Sequence, residues 1–114
     1  MLKVKKEGII LKPSRLDFEN KAVLNPTCIK KGNYVHMFYR AVRKDNVSCI
    51  GYCRLKGPLS VVQRSKRPIL CPEFNYDRDG LEDPRITYMD KKYYMFYTVY
   101  DGKNARVAYA VSKD

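Results

Sequence analysis

The segment YVHMFYRA, residues 34–41, is a short aromatic and apolar run interrupted by His36 and Arg40, and it decides the fold class. Short runs of similar character recur at 47–55, 59–64, 86–89, 93–100 and 106–112. Turn signals rich in Gly, Asn, Asp and Lys separate these runs, and helical periodicity is hard to find. The pattern predicts an all-β protein built from antiparallel hairpins.

A second copy of the opening segment lies further along the chain. A shift of 58 positions places Met37-Phe-Tyr39 on Met95-Phe-Tyr97, Asn46 on Asn104, and Asn25-Pro26 on Asp83-Pro84. The matched residues keep their order: a polar residue with proline, a strand, a turn, an aromatic strand and an Asn-containing turn. A repeat of this length, with about four short strands, is typical of one blade of a β-propeller.

The repeat length limits how much of a propeller the chain can contain. Propellers close with about 4 to 8 blades, so we expect two four-stranded antiparallel blades that do not close, in a single partial domain of residues 1–114 with a blade boundary near 60–75. Each repeat buries its apolar face against a neighbour. Missing blades or a homo-oligomer must therefore complete the propeller, and the final AVSKD, which lacks a closing element, favours a longer chain.

The same repeat relates an acid to an amide. Asp83 and Asn25 each precede a proline, which should restrict them to extended geometry at the start of a strand. If those strands are innermost in their blades, both side chains point to the central channel, where Arg40 would add a donor and the three groups could hold sugar hydroxyls. The alternative is a polar turn in which Arg85 pairs with Glu82 or Asp83 and contributes little.

Composition and charge narrow the function classes. The chain has 45% apolar residues, a net charge of +11, no run long enough for a membrane span and no signal-peptide pattern, so we expect a cytoplasmic globular protein that binds no membrane. The positive charge raises the possibility that the protein binds nucleic acid, but Lys and Arg are scattered through turns. We therefore expect a solvated basic surface that does not bind nucleic acid.

The cysteines do not indicate a metal site. Cys28, Cys49, Cys53 and Cys71 are irregularly spaced and His36 is the only histidine, so no metal ligand set is predicted. Cys49 and Cys53 lie too far apart along one strand to form a disulfide. We expect reduced, mostly buried thiols.

Five segments resemble the N-terminal part of glycoside hydrolase family 130, the β-1,4-mannoside phosphorylases and related mannosidases. They are VLNPT (23–27), HMFYRA (36–41), SCIGY (48–52), GLEDPRI (80–86) and YTVYDG (97–102), in consistent order over nearly the whole chain. The resemblance implies a five-bladed β-propeller. It also implies a glycosidase or phosphorylase that transfers a mannosyl unit from a β-mannoside oligosaccharide to phosphate, giving mannose 1-phosphate, with no cofactor besides phosphate as co-substrate.

The resemblance assigns roles to residues. Asp83 matches the catalytic acid, and Asn25 and Arg40 match residues that bind the mannosyl unit at the cleaved bond. The implied reaction is inverting, and one acid suffices because phosphate arrives already anionic, whereas an inverting hydrolase needs a second carboxylate to activate water. A protonated Asp83 would be favoured by burial and opposed by a nearby Arg.

Other residues have weaker assignments. Tyr100 and Asp101, at a strand end, are candidates for reaching the sugar, and Glu82 is expected to orient Arg85 or a backbone amide. His36 is expected to be a packed strand residue. Because the family's phosphate-binding residues lie mainly in later blades, this chain alone should be inactive. The alternative function is a non-catalytic carbohydrate-binding or basic nucleic-acid-binding β-domain, and steep salt dependence would identify the latter.

Overall fold

The computed structural model describes all 114 residues, and its regular structure is almost entirely β. The strands are β1 (Ala22–Lys31), β2 (Tyr34–Val42), β3 (Ser48–Lys56), β4 (Ser60–Arg64), β5 (Gly80–Met89), β6 (Lys92–Tyr100) and β7 (Ala105–Ser112). Two single-turn 3-10 helices, Asp17–Glu19 and Asn75–Asp77, lie in the connecting segments. Neither helix has the length or hydrophobicity to cross a membrane. The all-β prediction is confirmed.

The strands form two antiparallel units that we call the first and second blades. Strands β1 to β4 pair in chain order, as do β5 to β7. The blades meet in a single parallel bridge between Ser48 at the start of β3 and Gly80 at the start of β5, and residues 65–79 connect them. The open, two-blade architecture is as predicted, except that the second blade has three strands rather than four.

Each blade begins with an irregular strand, and here the structure corrects the sequence interpretation. Asn25 and Asp83 lie inside β1 and β5, at bulges where two residues of one strand lie opposite one residue of its neighbour. Both residues have positive φ, 48° and 53°, so the expectation of extended geometry is wrong. A bulge leaves its extra residue unpaired and tolerates a proline without an N–H, and Asn and Asp adopt left-handed φ more readily than most residues.

The apolar core has two parts. One cluster lies on the outer face of the first blade and contains Phe18, Met37, Tyr39, Ala41, Cys53 and Leu55. The other lies between the blades and contains Ile50, Leu81, Met95 and Val99, with the half-buried Phe38 and Leu70 packed against it. We call this second group the interface cluster. Because residues on one strand alternate between faces, β2 contributes to both clusters.

The N-terminal segment is held to the outer face of the first blade by a buried carboxylate. Glu19 is fully buried, accepts hydrogen bonds from Ser14 Oγ (2.6 Å) and Tyr39 OH (2.7 Å), and lies 3.0 Å from Arg64 Nη2. Burial, and next the bond to Glu19, raise the pKa of Tyr39 above its ordinary range. These bonds satisfy a charge that would otherwise be costly to bury.

Candidate active site

The two bulges lie on the first strand of each blade. β1 packs beside β5, and the Thr27 hydroxyl, two residues after Asn25, accepts a hydrogen bond from the Ile86 backbone amide at 3.3 Å. Ile86 follows Asp83 by three residues. The Asn25 amide and the Asp83 carboxylate therefore lie on neighbouring strands with the same local backbone conformation, and both residues are exposed.

Asp83 has one nearby basic partner. Its Oδ1 lies 2.8 Å from Arg85 Nη2, and the two side chains are 48% and 60% exposed. Arg85 also donates through Nη1 to the Pro84 carbonyl (2.8 Å), which holds the guanidinium beside the bulge. Only one carboxylate oxygen is engaged, so Oδ2 is left to interact with a ligand.

Glu82 pairs with Arg40 across the blade interface rather than with Arg85 or a backbone amide, so the expectation for Glu82 is corrected. Arg40 Nη2 lies 2.9 Å from Glu82 Oε1, and Arg40 Nε donates to Ser48 Oγ at 2.8 Å. The reason is the inter-blade packing, which places the end of β2 beside the start of β5. These bonds use two of the three guanidinium nitrogens and leave Arg40 Nη1 free to donate.

Gly80 allows the two blades to approach closely where β5 begins beside Ser48. Gly80 has a φ of 142°, and a Cβ atom on it would lie 3.0 Å from the Ser48 backbone nitrogen. A larger residue would push β5 away from β3 and displace the two residues that follow, Leu81 and Glu82. Gly80 therefore helps to position the acidic segment against the first blade.

Tyr100 and Asp101 lie at the C-terminal end of β6, where Tyr100 pairs with Gly80, and local bonds engage both. Tyr100 OH donates to the Gly102 carbonyl (3.0 Å). Asp101 Oδ1 accepts from the amides of Asn104 (2.7 Å) and Lys103 (2.9 Å), and Oδ2 lies 3.2 Å from Arg106. These amides, Asn104 first, lower the pKa of Asp101 to about 2. Sugar contacts by these two residues remain a prediction.

His36 lies outside this group of residues. Its Nδ1 is 2.8 Å from Tyr52 OH, and its ring stacks on that tyrosine. Burial, and next the Arg54 charge, lower the pKa of His36. The residue lines an apolar cavity of about 370 Å³ between the blades, and none of the predicted site residues lines that cavity. The placement agrees with a packed strand residue.

Sequence reasoning missed Ser48 and Thr27. The Thr27 hydroxyl accepts a hydrogen bond from the Ile86 amide of the second blade. The Ser48 hydroxyl accepts one from Arg40 within the first blade. Neither occupies a position with a matching residue in the repeat, because the 58-residue shift places Thr27 on Arg85 and Ser48 on Arg106. No signal in the sequence identifies them.

Known proteins resemble this chain over most of its length. A family model described as beta-1,4-mannooligosaccharide phosphorylase, glycoside hydrolase family 130, matches residues 6–114. A beta-1,2-mannobiose phosphorylase from Thermoanaerobacter sp. (strain X514) is 36% identical over 77% of this chain and 33% of its own length. A 1,2-beta-oligomannan phosphorylase from the same organism is 28% identical over 100% of this chain and 43% of its own.

A solved structure shows the same architecture. A putative glycosidase from Bacteroides thetaiotaomicron superposes with a TM-score of 0.83 at 26% identity, over 96% of this chain and 38% of that one. The chain therefore spans well under half the length of these relatives. Because the family match covers almost every residue, the chain belongs to glycoside hydrolase family 130.

Proposed function

We propose that these residues form the first part of the active site of an inverting β-mannoside phosphorylase. The observation that supports this most is the pair of matching bulges, which present Asn25 and Asp83 from adjacent strands with equivalent backbone geometry. In this proposal, Asp83 is the general acid, and Asn25 and Arg40 bind the mannosyl unit at the cleaved bond. Arg85 and Glu82 hold Asp83 and Arg40 in place.

The chemistry needs one proton donor and one nucleophile. Phosphate oxygen attacks the anomeric carbon, the glycosidic bond breaks, and the leaving-group oxygen takes the proton that Asp83 supplies, directly or through a mannose hydroxyl. The products are mannose 1-phosphate with inverted configuration and the shortened mannoside. Asp83 Oδ2, which Arg85 does not engage, is the oxygen suited to carry the proton.

For the linkage, we propose β-1,2 rather than the β-1,4 linkage that the sequence resemblance implied. The two curated relatives are named for β-1,2-linked mannosides, at 36% and 28% identity, whereas the family description names β-1,4-mannooligosaccharides. Residues beyond the two blades contribute to the leaving-group site in this proposal, so the linkage depends on the complete propeller.

The phosphate site and the remaining blades are part of the same proposal. The chain spans 33% and 43% of the two relatives' lengths, and the missing blades supply the basic residues that hold phosphate. Alone, the 114 residues should bind a mannosyl unit weakly and turn over nothing.

The test is a phosphorus NMR assay with β-1,2-mannobiose and β-1,4-mannobiose. We expect a complete propeller containing these residues to form mannose 1-phosphate from the β-1,2 substrate, and the 114-residue chain to form none. Release of free mannose at a rate independent of phosphate would instead identify a hydrolase. Clear turnover by the 114-residue chain would contradict the assignment of phosphate binding to other blades.

A further inference from the structure

The connection between the blades is attached to the first blade by a short backbone pairing. The Ile50 amide donates to the Leu70 carbonyl (2.9 Å), and the Ile69 amide donates to the Ile50 carbonyl (2.8 Å), which forms an isolated antiparallel bridge between Ile50 and Leu70. Ile50 and Leu70 also pack together in the interface cluster. The position of residues 65–79 therefore depends on this contact with β3.

Two cysteines flank that bridge. Cys49 precedes Ile50, and Cys71 follows Leu70, so antiparallel pairing places the two cysteines opposite each other on the other side of the local sheet. Residues opposite each other in an antiparallel pair have Cα atoms about 4.5–5.5 Å apart, and disulfides span about 4.4–6.8 Å between Cα atoms. The backbone register is therefore compatible with a disulfide.

The environment of the two thiols agrees with this placement. Burial, and next a hydrogen bond with the Cys71 thiol, raise the pKa of Cys49 to about 12, and the positive charge of Arg43 acts in the opposite direction. Cys49 is buried, whereas Cys71 is partly exposed. An external reagent can therefore reach Cys71 first.

The other two cysteines have a different geometry. Cys28 on β1 and Cys53 on β3 lie opposite Met37 on either side of β2. They are thus two strand spacings apart, roughly 9.6 Å, which is too far for a disulfide. Cys28 is exposed and Cys53 is fully buried, so Cys28 is the thiol most open to competing reactions.

We propose that Cys49 and Cys71 are a dithiol site that closes to an intramolecular disulfide in the presence of a low-molecular-weight disulfide such as oxidised glutathione. The Cys71 thiolate attacks a glutathione sulfur and releases one glutathione thiol. Cys49 Sγ then attacks Cys71 Sγ and gives up its proton to the departing glutathione sulfur, which forms the Cys49–Cys71 bond and releases the second glutathione thiol. Two protein thiols are oxidised, one glutathione disulfide is reduced, and the two thiol protons pass to the released glutathione.

The disulfide would fix the inter-blade connection to β3. It would close a chain segment of 22 peptide steps, from residue 49 to 71, and restrict the unfolded state, so the thermal midpoint should rise by roughly 5–10 °C. The consequence is a covalent link between the start of β3, which carries Ser48, and the segment that leads into β5.

The experiment uses the 114-residue chain with Cys28→Ser, which removes the exposed thiol. After incubation with oxidised glutathione, we expect intact mass to fall by two hydrogens, digestion to yield a Cys49–Cys71 linked peptide, and the thermal midpoint to rise until dithiothreitol reverses it. Cys49→Ser and Cys71→Ser variants in the same background should lose all three effects, and Cys53→Ser should keep the mass change and the linked peptide.

Three results would overturn the proposal. One is an unchanged mass with all three thiols free after prolonged incubation. Another is a persistent glutathione adduct on Cys71, which would show that Cys49 Sγ does not reach it in the folded chain. A linked peptide that involves Cys53 would likewise contradict the proposed pairing.

Discussion

The two blades carry the same cross-strand aromatic pair but bury it differently. Phe38 faces Tyr52 between β2 and β3, and Phe96 faces Tyr109 between β6 and β7. Their ring centroids are 5.2 Å and 6.2 Å apart, with interplanar angles of 39° and 35°. Phe38 packs on the interface cluster beneath the second blade, whereas Phe96 and Tyr109 are 39% and 64% exposed.

This difference shows what each blade requires from its neighbour. In the first blade, Phe38 is covered because β5 and β6 bring Leu81, Met95 and Val99 against it. The second blade has the equivalent surface, with Val107 and Val111 also exposed along β7, but nothing covers it in these 114 residues. An exposed apolar face of this kind is typical of a repeat without its neighbour.

The blades also differ in the residue at the bulge, and this gives the largest predicted effect. Asp83→Asn in a complete propeller should lower kcat by about 10²–10⁴-fold, because it removes the proton donor. Asn25→Ala should mainly raise KM, because it removes a binding group shared by ground state and transition state. Steady-state phosphorolysis assays separate kcat from KM.

A matched control tests the specificity of that effect. Asp90 also has positive φ, 51° compared with 53° for Asp83, and lies in the β5–β6 turn. Asp90→Asn should leave kcat unchanged, since the backbone conformation suits either residue. Equal losses in the two variants would mean that the effect comes from the backbone rather than from the acid.

The aromatic pairs give the next largest effect. In the 114-residue chain, Phe38→Ala should lower the free energy of unfolding by about 2 kcal/mol, because it empties part of the interface cluster. Phe96→Ala should change the free energy of unfolding by less than about 0.5 kcal/mol, because its ring is exposed. Urea denaturation measures both values.

The same two variants can be measured in a complete propeller. There we expect Phe96→Ala to lower the free energy of unfolding by nearly as much as Phe38→Ala, since a third blade would cover Phe96. If Phe96→Ala stays without effect in the larger protein, the exposed pair is not an inter-blade surface.

The smallest predicted effect concerns the aspartates in equivalent hairpin turns. Asp101 accepts two backbone amides and has a pKa of about 2. Asp45 in the β2–β3 turn pairs with Arg43 and accepts only the Val47 amide, and its pKa is lowered mainly by Arg43. Because both folded-state pKa values are depressed, each carboxylate stabilises the fold above pH ~4, and this stabilisation is lost as pH falls through the folded pKa.

Carboxyl carbon NMR against pH measures these two titrations separately. We expect the Asp101 titration midpoint near pH 2. Added salt should shift the midpoint of Asp45 more than that of Asp101, because the pKa of Asp45 depends mainly on an exposed ion pair. An Asp101 midpoint at the ordinary value of about 4 would show that the turn amides do not bind its carboxylate in solution.

The sequence predicted the strand content and the repeat because these depend on local alternation and turn chemistry. It did not predict that Asn25 and Asp83 lie within strands, since a residue before proline favours extended geometry and only pairing with β2 or β6 reveals a bulge. It also paired Glu82 with the wrong arginine. The Arg40–Glu82 contact joins residues from two blades, and such packing is not encoded in local sequence.

The assignment of Asn25 and Asp83 to one mannosyl site is tested most directly by a crystal structure of a complete propeller containing these residues with mannose bound. We expect the Asn25 amide and the Asp83 carboxyl group both to hydrogen-bond one mannosyl unit, with Arg40 Nη1 donating to the same sugar. A mannosyl unit bound elsewhere, with Asn25 and Asp83 both in contact with solvent alone, would contradict it.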